Sequence, residues 1–277
     1  MTDNYAVIGH PVAHSKSPQI HTHFAAQTGE DLCYMAILAP LDGFAATVRD
    51  FSTAGGRGMN VTVPFKEEAF RLATHLSQRA QAAGAVNTLR FSGNEIFGDN
   101  TDGAGLVRDI VRNLGCALAG RRILLLGAGG AARGVILPLL LENPVRLVIA
   151  NRTAQKAILL ATEFSNQPDH VQPPKPEGCG FGDLAAGRDV FDIVINATSA
   201  GLQGMSLDIP DGLYAAGALA YEMVYGRETS FMTQARRAGV QVADGLGMLV
   251  EQAAEAFLLW RGVRPETAPI LQELRGA

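Results

Sequence analysis

The 277-residue sequence has few cysteines, no run of basic residues and no long apolar stretch. Its three cysteines, Cys33, Cys116 and Cys179, are odd in number and widely spaced, which fits neither a disulfide framework nor a zinc site. A membrane protein is not expected, because a span needs about 18 or more consecutive apolar residues. The net charge of −4 argues against nucleic acid as a partner and is compatible with a small polar substrate.

The start of the chain and its composition indicate an ordinary globular protein. Residues 1–4 lead directly into an apolar strand pattern without the basic region or cleavage site of a signal peptide, so we expect a cytoplasmic location. Hydrophobic residues make up 47% and charged residues 18% of the chain, which are globular values. The length predicts two domains of roughly 100 to 150 residues each.

Short apolar runs alternate with helical patterns along the chain, which is typical of βαβ units and a mainly parallel sheet. Strands are predicted at residues 5–8, 32–38, 59–63, 85–91, 122–126, 146–150, 192–196, 218–223 and 240–242. A first helix is predicted to start at Ser17 as N-cap, with Pro18 at its first position, and to stop at Gly29. A second is predicted over 106–114, and a proline-rich stretch at 172–178 is predicted to be a surface loop.

The last long helical pattern, residues 248–260, is apolar on nearly every side. Its one polar stripe consists of Glu251, Gln252 and Glu255. A helix with so little polar surface is predicted to be largely buried.

A glycine-rich turn follows the predicted strand at 122–126 and opens the next helix. It fits the pattern G-x-G-x-x-A, whose glycines allow a tight turn and a close approach of the pyrophosphate to the helix N-terminus. The strand-turn-helix context favours dinucleotide binding over a merely structural turn. The predicted binding residues are Gly127, Ala128, Gly129, Gly130 and Ala131, with Ala132 allowing close packing of helix and strand.

The end of the next strand indicates which dinucleotide is bound. An NAD site usually places Asp or Glu there to accept from the ribose hydroxyls, whereas this chain has Asn151, Arg152 and Thr153. No carboxylate would repel a 2′-phosphate, and Arg152 and Lys156 could pair with it, so NADP is the predicted cofactor. The alternative is that the two cations only solvate a helix start.

Four polar segments lie at strand ends or at the seam between the domains: residues 9–18, 60–66, 85–88 and 98–103, called here the substrate segments. Open α/β sheets build ligand sites at the carboxyl ends of their strands. Together the segments supply hydroxyls, an amide, an ammonium and a carboxylate. That set suits a polyhydroxylated acid.

These segments, the glycine turn, Asn151-Arg152-Thr153, Asn196-Ala197-Thr198-Ser199 and the run from Asp244 to Ala254 together resemble the shikimate dehydrogenase family. The likeness covers nearly the whole chain. It implies reversible, NADPH-dependent reduction of the ketone of 3-dehydroshikimate to shikimate, in aromatic amino acid biosynthesis. It also implies an N-terminal α/β substrate domain with a mainly parallel sheet, formed by residues 1–101 with the helical segment 248–277, and a Rossmann-type doubly wound NADP-binding domain, residues 102–247.

The resemblance further implies the roles of individual residues. Ser15 and Ser17 would bind the substrate carboxylate with help from Tyr225, and a helix-capping role is the alternative for the serines. The ring hydroxyls would be bound by Thr62, Asn87, Asp102 and Gln252. Thr198, Met223, Gly245, Met248 and Leu249 would complete the cofactor site. Without the family pattern, Thr62 would pass for a β-branched strand residue, Asn87 for a turn former and Tyr225 for a packing aromatic.

Reduction of a ketone leaves an alkoxide that must be protonated, so the site needs an acid close to that oxygen. Lys66 and Lys16 are the basic side chains of the substrate segments apart from histidine. The resemblance pairs Lys66, as acid/base, with Asp102, and the sequence leaves open whether Lys66 transfers the proton or mainly polarises the oxygen. The alternatives are a solvated helix start for Lys66 and an N-cap for Asp102.

No metal is predicted, because His10 and His14 lie in a loop without an accompanying carboxylate or thiol. Glu222 departs from the family pattern, which more often has Asp, and the loop after it, which carries Tyr225, also differs from the commoner sequence. A dual quinate and shikimate dehydrogenase, often using NAD, and a catalytically silent NADP-binding sensor are competing hypotheses. For assembly, a monomer and a homodimer are both compatible with the sequence.

Overall fold

The computed structural model describes residues 2–166, 174–184, 190–203, 205–207, 209–210 and 212–276. The chain forms two compact units. The first unit consists of Met1–Gly105 and Leu249–Ala277, and the second consists of Leu106–Met248. The helices of the described residues include none that is long and apolar enough to cross a membrane.

The first unit is built on a six-stranded sheet. In chain order its elements are β1 (Asp3–Gly9), α1 (Ser17–Thr28), β2 (Leu32–Leu38), α2 (Phe44–Thr53), β3 (Gly56–Val61), α3 (Lys66–Leu72), β4 (His75–Leu76), α4 (Gln78–Ala83), β5 (Thr88–Ser92) and β6 (Glu95–Asp99). The strand order is β2-β1-β3-β5-β6-β4. Strands β2, β1 and β3 run parallel, as predicted, whereas β5 is antiparallel to both β3 and β6.

Helix α1 shows how the local sequence sets an element. The helix ends at Gly29, which adopts φ 71° as the predicted stop. The predicted N-cap role of Ser17 is wrong, because Lys16 precedes the helix and Ser17 is its first residue. Instead, the Ser15 hydroxyl accepts a hydrogen bond from the Ser17 backbone N–H at 3.2 Å. The hydroxyl that serves the helix start therefore comes from two residues earlier.

The second unit is a doubly wound parallel sheet, as predicted. Its elements are β7 (Arg122–Leu126), α6 (Gly130–Leu141), β8 (Arg146–Asn151), α7 (Ala154–Ser165), β9 (Glu177–Gly180), β10 (Phe191–Asn196), β11 (Tyr214–Glu222), α8 (Ser230–Arg237) and β12 (Gln241–Ala243). The order is β12-β11-β10-β7-β8-β9, and every pair in it is parallel. Leu124, Leu126, Val148 and Val194 from its strands pack with Phe231 of α8 in the core.

Three helices complete the chain, two of which reach across the division between the units. These are α5 (Asp102–Arg108), α9 (Leu246–Arg261) and α10 (Ala268–Gly276). The predicted helix at 106–114 starts earlier, at Asp102, and its last turn over Asp109–Asn113 is π-helical. The prediction of a largely buried helix at 248–260 is confirmed by α9, whose Val250, Ala253 and Phe257 are fully buried. In the proline-rich stretch, residues 172–173 lie outside the described residues, and 177–178 belong to β9 rather than to a loop.

Candidate active site

Lys66 and Asp102 lie side by side in the first unit. Lys66 is the first residue of α3, shortly after β3, and Asp102 is the first residue of α5. Lys66 Nζ lies 2.6 Å from Asp102 Oδ2, with side-chain exposures of 31% and 17%. A charge-assisted hydrogen bond of this length fixes the direction of the ammonium while leaving it accessible from solvent.

Asn87 supports this pair from the segment before β5. Its Nδ2 donates to Asp102 Oδ1 at 2.8 Å, and its Oδ1 accepts from the Thr101 backbone N–H at 2.8 Å. The backbone of Asn87 is also held on both sides, since its N–H donates to Asp99 O at 3.0 Å and its carbonyl accepts from Val61 N at 2.7 Å. The Asn87 amide is therefore fixed in position and orientation.

Gln252 of α9 reaches the same cluster. Its Oε1 lies 3.3 Å from both Asn87 Nδ2 and Thr101 Oγ1. The other members of the polar stripe on α9 have structural partners, because Arg264 donates to Glu251 at 2.8 Å and to Glu255 at 2.5 Å. Of that stripe, Gln252 is the side chain that joins the Lys66 and Asp102 cluster.

Ser15 and Thr62 lie on two loops that pack against each other where β1 and β3 end, and Ser17 opens α1 at the end of the first loop. Thr62 N donates to Ile8 O at 2.9 Å, and a Cβ built on Gly9 would lie 2.4 Å from Thr62 Cγ2. Only glycine at position 9 therefore lets the two loops approach this closely. Ser17 is buried and Ser15 is partly exposed.

The sequence-predicted substrate residues fall into groups. Lys66, Asn87, Asp102 and Gln252 share one hydrogen-bonded cluster, whereas Ser15 and Thr62 lie on the loops after β1 and β3 and Ser17 lies at the start of α1. Tyr225 belongs to the second unit, where it follows β11 and burial raises its pKa. Its part in binding the substrate carboxylate stays a prediction.

The glycine turn lies between β7 and α6 in the second unit. Gly127 has φ 109°, and its N–H donates to Ala150 O at 2.7 Å. A Cβ at Gly127 would lie 3.2 Å from the Ala197 backbone, whereas Cβ atoms at Gly129 and Gly130 would meet nothing within 4 Å. Helix α6 begins at Gly130, and the first N–H groups of a helix have no carbonyl partner within it. These features fit an anionic pyrophosphate.

At the end of β8, the residues predicted to bind the 2′-phosphate lead into α7. Asn151 Nδ2 donates to Thr153 O at 3.0 Å and closes the turn. Arg152 and Lys156 are both exposed, one before α7 and one in its first turn. Two exposed cations at this strand end fit a phosphate group.

Thr198, Met223 and Gly245 lie near the carboxyl ends of β10, β11 and β12. At this edge of the sheet, the buried carboxylate of Glu222 connects the end of β10 with the start of α8. Glu222 Oε2 accepts from Asn196 Nδ2 at 2.7 Å and from Thr229 Oγ1 at 2.8 Å. Burial raises the pKa of Glu222, and the hydrogen bonds from Thr229 and Asn196 oppose the rise. Glu222, which is one methylene longer than the Asp that the family more often has, therefore finds hydrogen-bond donors for its carboxylate in this chain.

Gly245 and Gly247 bring the start of α9 close to other parts of the second unit. A Cβ on Gly245 would lie 2.2 Å from Met223 O, and one on Gly247 would lie 2.0 Å from Asp109 Oδ1. Asp109 is fully buried and accepts from Tyr221 OH at 2.6 Å and from Asn113 Nδ2 at 2.8 Å. Its carboxylate is therefore held against the Gly247 backbone. Met248 follows in the same helix; Leu249, the last residue predicted for this site, is counted with the first unit.

Replacing Gly247 with alanine is expected to lower the free energy of unfolding by about 1–3 kcal/mol, the usual cost of forcing extra volume into a packed interior. The new methyl group would collide with Asp109, which its two donors prevent from moving away. Urea unfolding followed by circular dichroism measures the change. Gly182→Ala is the matched control, because a Cβ there meets nothing within 4 Å. Equal midpoints for the two variants would contradict the prediction.

Asn60, Thr88 and Thr101 have no role predicted from the sequence, although all three lie in the substrate segments. The structure places them as buried partners of Asn87 or of one another. The sequence feature that could have indicated these three residues is a polar side chain within or beside an apolar strand. In the part of the chain that the structure describes, no group of three or more metal-ligating side chains occurs, and the His10 ring nitrogen Nδ1 lies 2.8 Å from Ala39 O.

Three family models match successive parts of the chain. They are described as the shikimate dehydrogenase substrate binding domain over residues 7–89, shikimate / quinate 5-dehydrogenase over residues 109–203, and the shikimate 5'-dehydrogenase C-terminal domain over residues 245–275. The first lies in the unit that holds the Lys66 and Asp102 cluster, and the second lies in the unit with the glycine turn.

Whole-chain relatives agree with these matches. A shikimate dehydrogenase (NADP(+)) of Dechloromonas aromatica is 61% identical, with 99% of this chain and 98% of the relative covered. The crystal structure of an Ael1 enzyme from Pseudomonas putida is 48% identical, with a TM-score of 0.90 and coverage of 99% and 98%. A shikimate 5-dehydrogenase from Thermus thermophilus, in complex with NADP(H) and shikimate, is 32% identical, with a TM-score of 0.85 and coverage of 99% of each chain. The chain therefore belongs to the shikimate dehydrogenase family.

Proposed function

We propose that this chain catalyses the reversible, NADPH-dependent reduction of 3-dehydroshikimate to shikimate, a step of aromatic amino acid biosynthesis. The observation that carries the proposal is the 2.6 Å contact between Lys66 and Asp102, with Asn87 and Gln252 beside it. Of these residues, Lys66 and Asn87 lie in the range 7–89 that matches a shikimate dehydrogenase substrate binding domain. An ammonium, a carboxylate and two amides suit a ring that carries several oxygens.

The substrate would be held at two ends. Ser15 and Ser17 bind the carboxylate, with Tyr225 assisting, and the ring hydroxyls are bound by Thr62, Asn87, Asp102 and Gln252. Buried donors and acceptors of this kind select strongly, because an analogue that leaves them unpaired loses affinity. The Asn87 amide, fixed at both of its ends, is well suited to such selection.

When bound, NADPH supplies the hydride. Reduction of the ketone places negative charge on its oxygen, and the Lys66 ammonium is the group that binds this oxygen and provides its proton. Asp102 holds the ammonium in direction and balances its positive charge until the proton is transferred, after which Lys66 is a neutral amine. Asn87, which donates to the other oxygen of the Asp102 carboxylate, keeps the pair from rotating.

The second unit would hold NADP. The turn formed by Gly127, Ala128, Gly129, Gly130 and Ala131, at the start of α6, would hold the pyrophosphate. Arg152 and Lys156 bind the 2′-phosphate beside Asn151 and Thr153. Thr198, Met223, Gly245 and Met248, with Leu249 from the first unit, would hold the nicotinamide. Open space at Gly129 and Gly130, together with two exposed cations at the end of β8, supports this assignment.

The test is a 340 nm absorbance assay that crosses shikimate and quinate with NADP⁺ and NAD⁺. We expect kcat/KM to be highest for shikimate with NADP⁺, and lower by about tenfold or more for every other combination. Comparable values for quinate would favour the dual quinate and shikimate dehydrogenase, a hypothesis kept open by the shikimate / quinate family model. Folded protein that turned over neither acid would favour the silent NADP-binding sensor.

We further propose that the functional domains follow the predicted boundaries, with residues 1–101 and 248–277 binding the substrate and residues 102–247 binding NADP. We expect a cytoplasmic monomer or homodimer that does not bind nucleic acid. The net charge of −4 and the absence of a basic run in the sequence support the last point.

A further inference from the structure

A row of hydrogen bonds leads from Tyr34 on β2 to Asp102. Tyr34 OH lies 2.7 Å from Asn60 Oδ1, Asn60 Nδ2 lies 3.1 Å from Thr88 Oγ1, and Thr88 Oγ1 lies 2.9 Å from Asn87 Oδ1. Asn87 Nδ2 then donates to Asp102 Oδ1 at 2.8 Å. The four residues before Asp102 are all buried, so water does not compete for these bonds. The row connects β2, β3 and β5 with the predicted catalytic pair.

All bonds of the row point the same way, toward the carboxylate. The Asp102 carboxylate can only accept, and the Thr101 N–H donates to Asn87 Oδ1, so the orientation of the Asn87 amide is fixed. Asn60 Nδ2 faces the Asn87 backbone carbonyl at 3.4 Å, which fixes the Asn60 amide. Thr88 accepts from Asn60, and its own proton goes to Asn87 Oδ1 at 2.9 Å, which is closer than the other neighbouring oxygen, Thr101 Oγ1 at 3.3 Å.

The far end of the row is a neutral donor. Burial raises the pKa of Tyr34 well above its usual range, while the nearby Ser17 side chain opposes the rise, so the phenol keeps its proton. His21 of α1 stacks on the Tyr34 ring, with centroids 4.2 Å apart, and burial lowers the pKa of His21 to about 3. His21 is therefore uncharged at neutral pH. Lys66, from α3, is the charged group that faces Asp102 at the other end.

We propose that Tyr34, Asn60 and Thr88 are positioning residues of the reaction, which act through Asn87 on the orientation of Asp102 and its pairing with Lys66. Hydrogen bonds aligned in one direction polarise one another, and in a buried environment each one strengthens the next. The row thus adds to the donating strength of Asn87 toward the carboxylate. This inference rests on the proposed function, because it assigns Asp102 to the catalytic pair.

Thr88 offers a matched pair of substitutions. Thr88→Val keeps the shape of the side chain and removes the hydroxyl, whereas Thr88→Ser keeps the hydroxyl and removes a methyl group. If the hydroxyl matters for Asp102, kcat/KM for shikimate should fall by about tenfold in Thr88→Val, the usual size of one lost buried hydrogen bond, and stay within about threefold of wild type in Thr88→Ser. If Thr88 only fills space, the serine variant should be the weaker one. NADP⁺ affinity is the control, and it should be unchanged in both.

A double-mutant cycle tests whether the effect passes through Asp102. Shikimate affinity, measured by calorimetry, should fall on Thr88→Val in the wild-type background but change less than about twofold in an Asp102→Asn background. Tyr34→Phe provides a second variant if Thr88→Val fails to fold, and it should lower kcat/KM by about threefold or more.

Equal activities of the valine and serine variants, independent effects in the cycle, or an unchanged Tyr34→Phe enzyme would each overturn the inference. The wild-type measurement separates this outcome from failure of the proposed function. A wild-type protein without shikimate oxidation would reject the function itself, and the positioning role with it. An active wild type whose variants show unchanged activity would reject the positioning role alone.

Discussion

Replacing Lys66 with alanine is expected to lower the rate of NADPH oxidation with 3-dehydroshikimate by about 10²-fold or more, the usual contribution of a positioned general acid. The variant loses the ammonium that lies 2.6 Å from Asp102 and would leave the developing alkoxide without a nearby proton donor. The loss should appear mainly in kcat, because the charge on the substrate oxygen develops during the reaction. Stopped or continuous absorbance assays at saturating substrate measure it.

Arg71→Ala is the matched control for this experiment. Arg71 lies on the same helix, α3, and its side chain is exposed. Its removal also takes away one cation, so any general effect of net charge on substrate attraction would appear in both variants. A Lys66→Ala enzyme that retained more than about one third of the wild-type rate would remove Lys66 from the mechanism.

The double variant Arg152→Ala, Lys156→Ala is expected to raise the KM for NADP⁺ on the order of 10²-fold and to leave kcat/KM with NAD⁺ within about threefold. Each lost cation removes a charge-assisted interaction with the 2′-phosphate, and the loss of one such interaction raises the KM for NADP⁺ by roughly tenfold. NAD⁺ has a hydroxyl in place of the 2′-phosphate, so its binding should depend little on the two cations. Steady-state kinetics with each coenzyme at saturating shikimate measure the two effects.

Lys175→Ala serves as the control here, because Lys175 is an exposed cation of the second unit that no part of the proposed cofactor site includes. It should leave both KM values unchanged. An equal loss with both coenzymes in the double variant would indicate damage to the turn rather than to phosphate recognition. A rise in the KM for NADP⁺ of less than about threefold would show that the two cations only solvate the start of α7.

The fold of the second unit was largely predictable because its strands are buried on both faces. Such strands form continuous apolar runs, as in Arg122–Leu126, which the predicted range matched at both ends. The glycine turn after it has a fixed relation to strand and helix, so Gly127 and its positive φ could be inferred from the pattern. The family resemblance rested on such local motifs, and the comparisons confirm it.

The first unit was harder, since its pairing depends on turns and on distant partners. Strand β6 was not predicted, because its last residues, Gly98 and Asp99, belong to a stretch dense in turn formers and because it returns from β5 through Gly93, with φ 59°, and Asn94. Strand β4, with two residues, carries almost no pattern. Periodicity shows that a strand exists, but it does not show whether its neighbour runs parallel or antiparallel.

The supporting residues of the site depend on that same pairing. The register of β3 and β5 places Asn60 directly opposite Thr88, and no local motif could have shown it. Lys66, Asp102, Asn87 and Gln252 were predicted because motifs carried them. Their mutual distances, and the partners that hold them, follow from the register and from the packing of α9.

The uniform direction of the hydrogen bonds from Tyr34 to Asp102 has an evolutionary consequence. Tyr34 donates at the start of the row, and Asn60, Thr88 and Asn87 each accept on one side and donate on the other. A single exchange of one of these donors for a side chain that only accepts would therefore set two acceptors against each other in a dry interior. Substitutions at positions 34, 60 and 88 should therefore be tolerated in compensating combinations and rarely one at a time. In related proteins, these three positions are expected to covary as a group.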